Sequence, residues 1–380
     1  MKNNLLSQKA LAIHKKLRGK ISVTPKAPLR TRNDLNLFYT PGVGAVSSYV
    51  AARPETAREY TMKGNTVAVV SDGSAVLGLG NLGPEGALPV MEGKAMLFKA
   101  LADIDAFPIV LDTQDTDEII ETVKNIAPGF GGINLEDIAA PRCFEIEHRL
   151  RELLSIPVFH DDQHGTAMVV LAGLINALKV VKKKLTAARI VISGVGAAGQ
   201  AIAELLLKAG AVNIVLVDSR GIVSRLRKDL DAHKLRLLKL TNPLHLSGEL
   251  EDALLGADVF IGVSKAGLLT SAHVRSMAPR AIVFALANPI PEIMPDLAYK
   301  AGATVVATGR SDFPNQLNNS LGFPGIFRGA LDNGVKEISD SMLIKAAIHL
   351  SKLIAKPMAK KIIPDMFDKR VVKAVAKAIR

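Results

Sequence analysis

The sequence predicts an α/β protein of two domains, each organised on a parallel sheet. Three observations carry that expectation. Apolar, β-branched runs alternate with helical patterns from Thr66 onward, the signature of strand–helix–strand units. Acidic residues cluster where two of those strands end, at Glu136-Asp137 and Asp161-Asp162, and ligands bind at that edge of parallel sheets. The run Gly194-Val195-Gly196-Ala197-Ala198-Gly199 stands between a strand and a helix. A length of 380 residues suits two domains, and 48% hydrophobic content supplies sizeable cores.

Composition narrows the function classes. The net charge of +12 is spread along the chain. Its densest cluster, Lys179 with Lys182-Lys183-Lys184, has no interleaved aromatics, and the chain holds no Trp and 4 Tyr. Without a basic stripe and stacking rings, nucleic-acid binding is not expected. The single cysteine, Cys143, excludes an intramolecular disulfide framework and fits a reducing cytoplasm. It lies in a helical pattern and reads as a buried structural thiol. Met1 to Lys20 lacks a signal-peptide core. Even the apolar run Ala167–Leu178 carries Gly173 and Asn176 and stops at Lys179, so no membrane span is expected.

The chain opens on Leu6, Ala10, Ile13 and Leu17, an amphipathic helical spacing, and then reads as extended and irregular from Arg18 to Asn36. Leu37 to Gly44 is a turn built on Pro41-Gly42, with Tyr39 just before it. From the residues alone, Tyr39 reads equally as a packing residue and as a functional phenol. Thr66–Val70 is a strand with a turn at Ser71-Asp72-Gly73-Ser74. Gly78, Gly80, Gly83 and Gly86 follow closely, marking a loop where backbone approaches something. A helix comes next with Met91, Ala95, Phe98 and Leu101 on one face and Lys94 in its early turns. A lone lysine there is ordinarily a surface residue.

Strands at 107–111, 131–135 and 156–159 alternate with helices after Asp115 and Pro141. Glu136, Asp137, Asp161 and Asp162 therefore meet at one end of one sheet. Four carboxylates there repel one another unless a cation is present, and oxygen-only ligands suit Mg²⁺ or Mn²⁺. The bland alternative for His160-Asp161-Asp162-Gln163-His164-Gly165 is a helix cap and a turn.

A second unit starts near residue 165. Strand 188–193, the glycine fingerprint, a helix, strand 213–217 and the terminal acid Asp218 occur in the order of a Rossmann-type dinucleotide fold. Gly194, Gly196, Ala197, Ala198 and Gly199 would meet a pyrophosphate at the helix start. Asp218 would accept from the adenosine ribose hydroxyls, which favours NAD; Arg220 nearby leaves NADP possible. Further strands at 258–263, 281–286 and 304–308 lead to Asn288, Asn315, Asn318 and Asn319, each equally readable as a turn residue.

With these pieces in place the chain resembles the malic enzymes in their short bacterial form. The matching stretches are Tyr39-Thr40-Pro41-Gly42-Val43, Ser71-Asp72-Gly73, Leu77 to Gly83, Glu92-Gly93-Lys94, Asn134-Leu135-Glu136-Asp137, His160 to Ala167, the glycine fingerprint, Ala287-Asn288-Pro289, and Asn318-Asn319 with Phe323-Pro324-Gly325. They run in family order over nearly the whole chain. The resemblance implies an N-terminal α/β malic-enzyme domain, residues 1–163, and a C-terminal Rossmann-type doubly wound parallel sheet with final helices, residues 164–380. It implies oxidative decarboxylation of L-malate to pyruvate and CO₂ with NAD, NADP being possible, in a cytoplasmic homodimer. Glu136, Asp137 and Asp162 would ligate Mg²⁺ or Mn²⁺, with Asp161 supporting them from behind. Lys94 would be the general base and Tyr39 the general acid. Asn288, Asn318 and Asn319 would contact substrate, and Asn288 also the nicotinamide. Larger relatives carry an Arg after the Asp-Gly turn where this chain has Ser74-Ala75, so its grip on a substrate carboxylate must differ. The rival readings are a malolactic-type or oxaloacetate-decarboxylating enzyme of the same family, and a non-catalytic NAD-binding regulator.

Overall fold

The computed structural model describes residues 2–380, and side chains from residue 5 onward. Two sheets organise it. The first has strand order β2-β1-β3-β4, formed by Thr66–Ser71 (β1), Asp105–Val110 (β2), Gly132–Leu135 (β3) and Val158–His160 (β4), all parallel. The second has order β10-β9-β8-β5-β6-β7. It comprises Arg189–Ser193 (β5), Asn213–Asp218 (β6), Gly221–Ile222 (β7), Val259–Gly262 (β8), Ile282–Ala285 (β9) and Val305–Thr308 (β10). All its pairings are parallel except β6 with β7. This is the doubly wound order with its reversal at β5, except that the third strand is reduced to the short antiparallel β7.

β1 shows why the first sheet is buried on both faces. Val67 and Val69 face one side with Met91, Phe98 and Phe159. Ala68 and Val70 face the other with Ile119, Val123, Ile133 and Ile146. Alternation along the strand thus feeds two apolar layers, as a parallel strand requires. Phe98 meets Phe323 and Phe327 edge-on at 4.6 and 5.3 Å, which joins the first half of the chain to the helix Phe323–Asn333.

The helical stretch Asp161–Val181, 21 residues, is long and apolar enough for a membrane span, contrary to the reading of its sequence. The helix extends past Ala167–Leu178 at both ends, back through the turn Asp161–Gly165 and on to Val181. Its apolar window is 72% buried, packed against the helices Ala197–Lys208 and Asp340–Lys352, which is the packing of a core helix.

Two local expectations need correction. The irregular segment 18–36 contains the start of a helix, Arg32–Phe38, capped by Thr31 and Asp34 in a reciprocal capping box. Lys94 is not in the early turns of its helix. That helix begins at Gly83 with Pro84 in its first turn and runs to Ala102, so Lys94 lies past its middle, beyond the reach of the N-terminal dipole. The helices Arg32–Phe38 and Gly42–Ala52 contain no buried residue, and Leu37, Phe38, Tyr39 and Tyr49 are exposed on them.

Candidate active site

The C-terminal ends of β1, β3 and β4 bring the acids together. One carboxylate oxygen each from Glu136, Asp137 and Asp162 lies within 4.8 Å of the others. Asp137 adopts φ 52°, a left-handed conformation that an aspartate tolerates. Its backbone N–H donates to Asp162 at 2.9 Å, and the Leu77 N–H donates to its carboxylate at 3.3 Å. The Asn134 side-chain amide donates to Glu136 at 3.0 Å. The turn Asp161–Gly165 is π-helical, and neither aspartate caps the following helix Thr166–Val181. The bland reading of those two acids as a cap does not hold.

Lys94 is the surprise of burial. It is 7% exposed, its ammonium donates to both Glu136 and Asp161, and it lies 4.5 Å over the Phe323 ring. Burial alone would push the ammonium down, but Asp161, Glu136 and Asp162 outweigh it and hold the group above its usual range. Asp161 is thus the partner of Lys94 rather than a member of the acid triad. Gly165 is required beneath it, because an added Cβ would fall 1.8 Å from the Asp161 carboxylate.

Electrostatics show what this arrangement suits. Burial, then repulsion from Asp162, raises Asp137 to about 7. Burial, against the pull of Lys94, raises Asp161 to about 6, and Glu136 is also raised. Buried atoms Asp137 Oδ2 and Asp161 Oδ1 have no hydrogen-bond partner. An all-oxygen set with surplus negative charge and an orphaned acceptor fits a hard divalent cation. A raised carboxyl pKa favours the fold below the unfolded value, near 4, and that contribution is lost as pH rises through about 7. In chelator, Asp137→Asn should therefore gain thermal stability relative to wild type as pH rises from 4.5 to 8. A difference in Tm that stays flat across that range would contradict the assignment.

Sequence reasoning missed the support behind the triad. Glu147 is buried on the helix Arg142–Leu153. It accepts from the His160 backbone N–H at 3.1 Å and from the Gln163 side chain at 3.4 Å, and it pairs with His164 at 2.9 Å. It therefore fixes the turn that carries Asp161 and Asp162. Burial would raise its carboxyl, but His164 and His160 hold it below the usual range. Arg142 was also missed. It donates to Asp72 at 2.8 Å, while Ser74 accepts from the Ala139 N–H at 2.9 Å, tying the Asp-Gly turn to the loop after Asp137. Cys143 is buried, and burial pushes its thiol up to about 12.

The dinucleotide motif divides its glycines by role. Gly194 has φ 105°, and an added Cβ would sit 2.6 Å from the Val263 carbonyl. At Gly199 a Cβ would lie 1.8 Å from the Gly194 carbonyl, so the helix packs directly on the loop. Gly196 faces open space and leaves room for a ligand's close approach. Ala197 and Ala198 open the helix Ala197–Lys208. Asp218 ends β6, where burial would raise its carboxyl but Arg227 and Lys234 hold it below the usual range.

The two halves meet at the remaining predicted residues. A Cβ on Gly78 would fall 1.9 Å from the Asn288 carbonyl, so the first half's glycine loop lies against Asn288. Asn319 packs beside Gly165 of the acidic turn, and Asn318 caps the single turn Asn319–Leu321. Asn315 is spent structurally, bonding Val306, Ala359 and Ile362. Tyr39 is the exception. It is 64% exposed at the end of the helix Arg32–Phe38, and its phenol makes no hydrogen bond to Lys94 or the triad.

A dinucleotide fold facing a buried lysine and an acid triad defines a two-domain nucleotide-dependent oxidoreductase. Residues 18–151 match the family described as malic enzyme, N-terminal domain, and residues 163–379 match malic enzyme, NAD binding domain. The chain is 56% identical to the NAD-dependent malic enzyme of Geobacillus stearothermophilus, covering 95% of this chain and 76% of that one. It is 53% identical to the bifunctional malic/malolactic enzyme of Bacillus subtilis, covering 98% and 92%. The crystal structure of the NAD-dependent malic enzyme from Thermotoga maritima superposes with a TM-score of 0.94 at 51% identity, covering 97% and 98%. This chain belongs to the malic enzyme family. It is a decarboxylating oxidoreductase that converts malate to pyruvate and CO₂ with reduction of NAD(P).

Proposed function

We propose that Glu136, Asp137 and Asp162 hold Mg²⁺ or Mn²⁺, that Lys94 is the general base and that Tyr39 is the general acid. The observation that carries this reading is the buried lysine clamped between Glu136 and Asp161 beside a triad with excess negative charge. When bound, the divalent ion supplies Lewis-acid polarisation of the substrate oxygen and a positive charge that favours the neutral amine of Lys94. Lys94 then removes the proton of the C2 hydroxyl, and Asp161 keeps the amine aimed. Asn288, Asn318 and Asn319 orient malate, Asn288 also against the nicotinamide. NAD is the principal dinucleotide, with Asp218 at the adenosine ribose and Gly194, Gly196, Ala197, Ala198 and Gly199 at the pyrophosphate.

The C2 hydride passes to the nicotinamide as the hydroxyl proton leaves, the C3–C4 bond then breaks to release CO₂, and Tyr39 delivers a proton to C3 of the resulting enolpyruvate. The exposure of Tyr39, and that of Leu37, Phe38 and Tyr49 around it, supports a homodimer in which this apolar surface is covered. The working division of the chain is residues 1–163 for substrate and metal and 164–380 for the dinucleotide. The single buried cysteine supports a reducing, cytoplasmic setting.

The relative with malolactic activity makes the product the point to test. With malate, Mn²⁺ and NAD, free NADH and pyruvate should accumulate in equal amounts. Lactate without free NADH would replace this reading with the malolactic one.

A further inference from the structure

Two neighbouring strands carry a side-chain donor at the same distance from a triad acid. On β3, the Asn134 amide donates to Glu136, two residues further on, at 3.0 Å. On β4, the residue two before Asp162 is His160. Its Nδ1 stops 4.0 Å from Asp162 Oδ2, too far for a hydrogen bond.

His160 is fully buried, and neither ring nitrogen has a hydrogen-bond partner among the described residues. An imidazole carries at least one N–H in every protonation state, so a donor is buried here unused. Native structures rarely tolerate that without a reason. The backbone of His160 is fixed. Its N–H donates to Glu147 at 3.1 Å, and it stands opposite Leu135 in the parallel pairing of β4 with β3. Asp162 is the more exposed of the two, at 33%. Its Oδ2 takes the Asp137 N–H at 2.9 Å, and a carboxylate oxygen has a second lone pair for a further donor.

We propose that His160 is a positioning residue of the metal site, whose Nδ1–H closes on Asp162 Oδ2 when Asp162 ligates the divalent ion, as Asn134 already does for Glu136. The proposal rests on the reading that Glu136, Asp137 and Asp162 hold that ion. A hydrogen bond to a ligating carboxylate fixes its orientation, and losing such a partner weakens metal binding about 10–100-fold.

Two substitutions separate the hydrogen bond from packing. His160→Phe keeps a ring and removes the donor. His160→Asn gives up the ring but keeps an amide N–H near the place of Nδ1. Mn²⁺ titrations followed by electron paramagnetic resonance should rank wild type tightest, then His160→Asn, with His160→Phe at least tenfold weaker than wild type. Packing alone would rank His160→Phe above His160→Asn. In chelator, His160→Phe should melt no lower than wild type, because it removes an unused buried donor.

Nuclear magnetic resonance of the wild-type histidine rings supplies an arm free of substitutions in the measured protein. The His160 Nδ1–H signal, assigned by its absence in either variant, should move downfield on saturation with Mg²⁺. Wild type that binds Mn²⁺ while His160→Phe binds it as tightly would overturn this proposal alone, as would a His160 signal unmoved by Mg²⁺. Failure of wild type to bind Mn²⁺ would overturn it together with the metal reading.

Discussion

Lys94→Ala is expected to lower malate turnover by about 10²–10⁴-fold, the range a positioned base contributes. Lys94 is the one cation bonded to both Glu136 and Asp161, and no other lysine or arginine among the described residues donates to either. Its loss also leaves buried carboxylates unpaired, which costs about 3–5 kcal/mol when a buried pair is broken. Thermal stability at pH 8 in chelator should therefore fall with the activity. The two effects separate on adding reagents. Mn²⁺ should restore stability by neutralising the acids, while only a small primary amine, entering the space left by the side chain, should restore part of the turnover. Full turnover in Lys94→Ala with Mn²⁺ alone would assign the base elsewhere.

The second large effect is that of Asp162→Asn. Asp162 contributes to the triad and accepts from the Asp137 N–H, so it both supplies charge and holds its neighbour. Malate turnover should drop below detection while NAD affinity stays within about threefold, because the fingerprint lies on another sheet and the change removes no contact to it. Equal losses of turnover and of NAD binding would mean that the variant perturbs the interface between the halves rather than a metal site.

The sheets were legible because β-branched apolar runs have few alternatives when flanked by glycine, proline and acids. Strand ends followed, and with them the convergence of Glu136, Asp137, Asp161 and Asp162. The fingerprint was legible because a pyrophosphate loop needs glycines at fixed spacing. Burial of Lys94 was not legible from its helix, since its partners are 42 and 67 residues away and a lone lysine defaults to solvent. Glu147 was hidden for the same reason: it sits in a charged, mostly surface helix, and the sequence does not indicate that His160, Gln163 and His164 turn toward it. The neutralisation of Asp218 depends on a segment that replaces the expected third strand, a departure from the fold that no periodicity announces. The helix Arg32–Phe38 escaped because it is short and carries no buried stripe; only its Thr31–Asp34 capping spacing marked it.

On the proposed assignment, Glu136, Asp137 and Asp162 together hold the divalent ion that lets Lys94 act as the base while the dinucleotide oxidises malate. An equilibrium Mn²⁺ titration of wild type and the three single amide variants, followed by electron paramagnetic resonance, tests it most directly. The account predicts one Mn²⁺ bound per chain in wild type, weakened at least tenfold in each of Glu136→Gln, Asp137→Asn and Asp162→Asn. Undiminished Mn²⁺ binding in all three variants would contradict it.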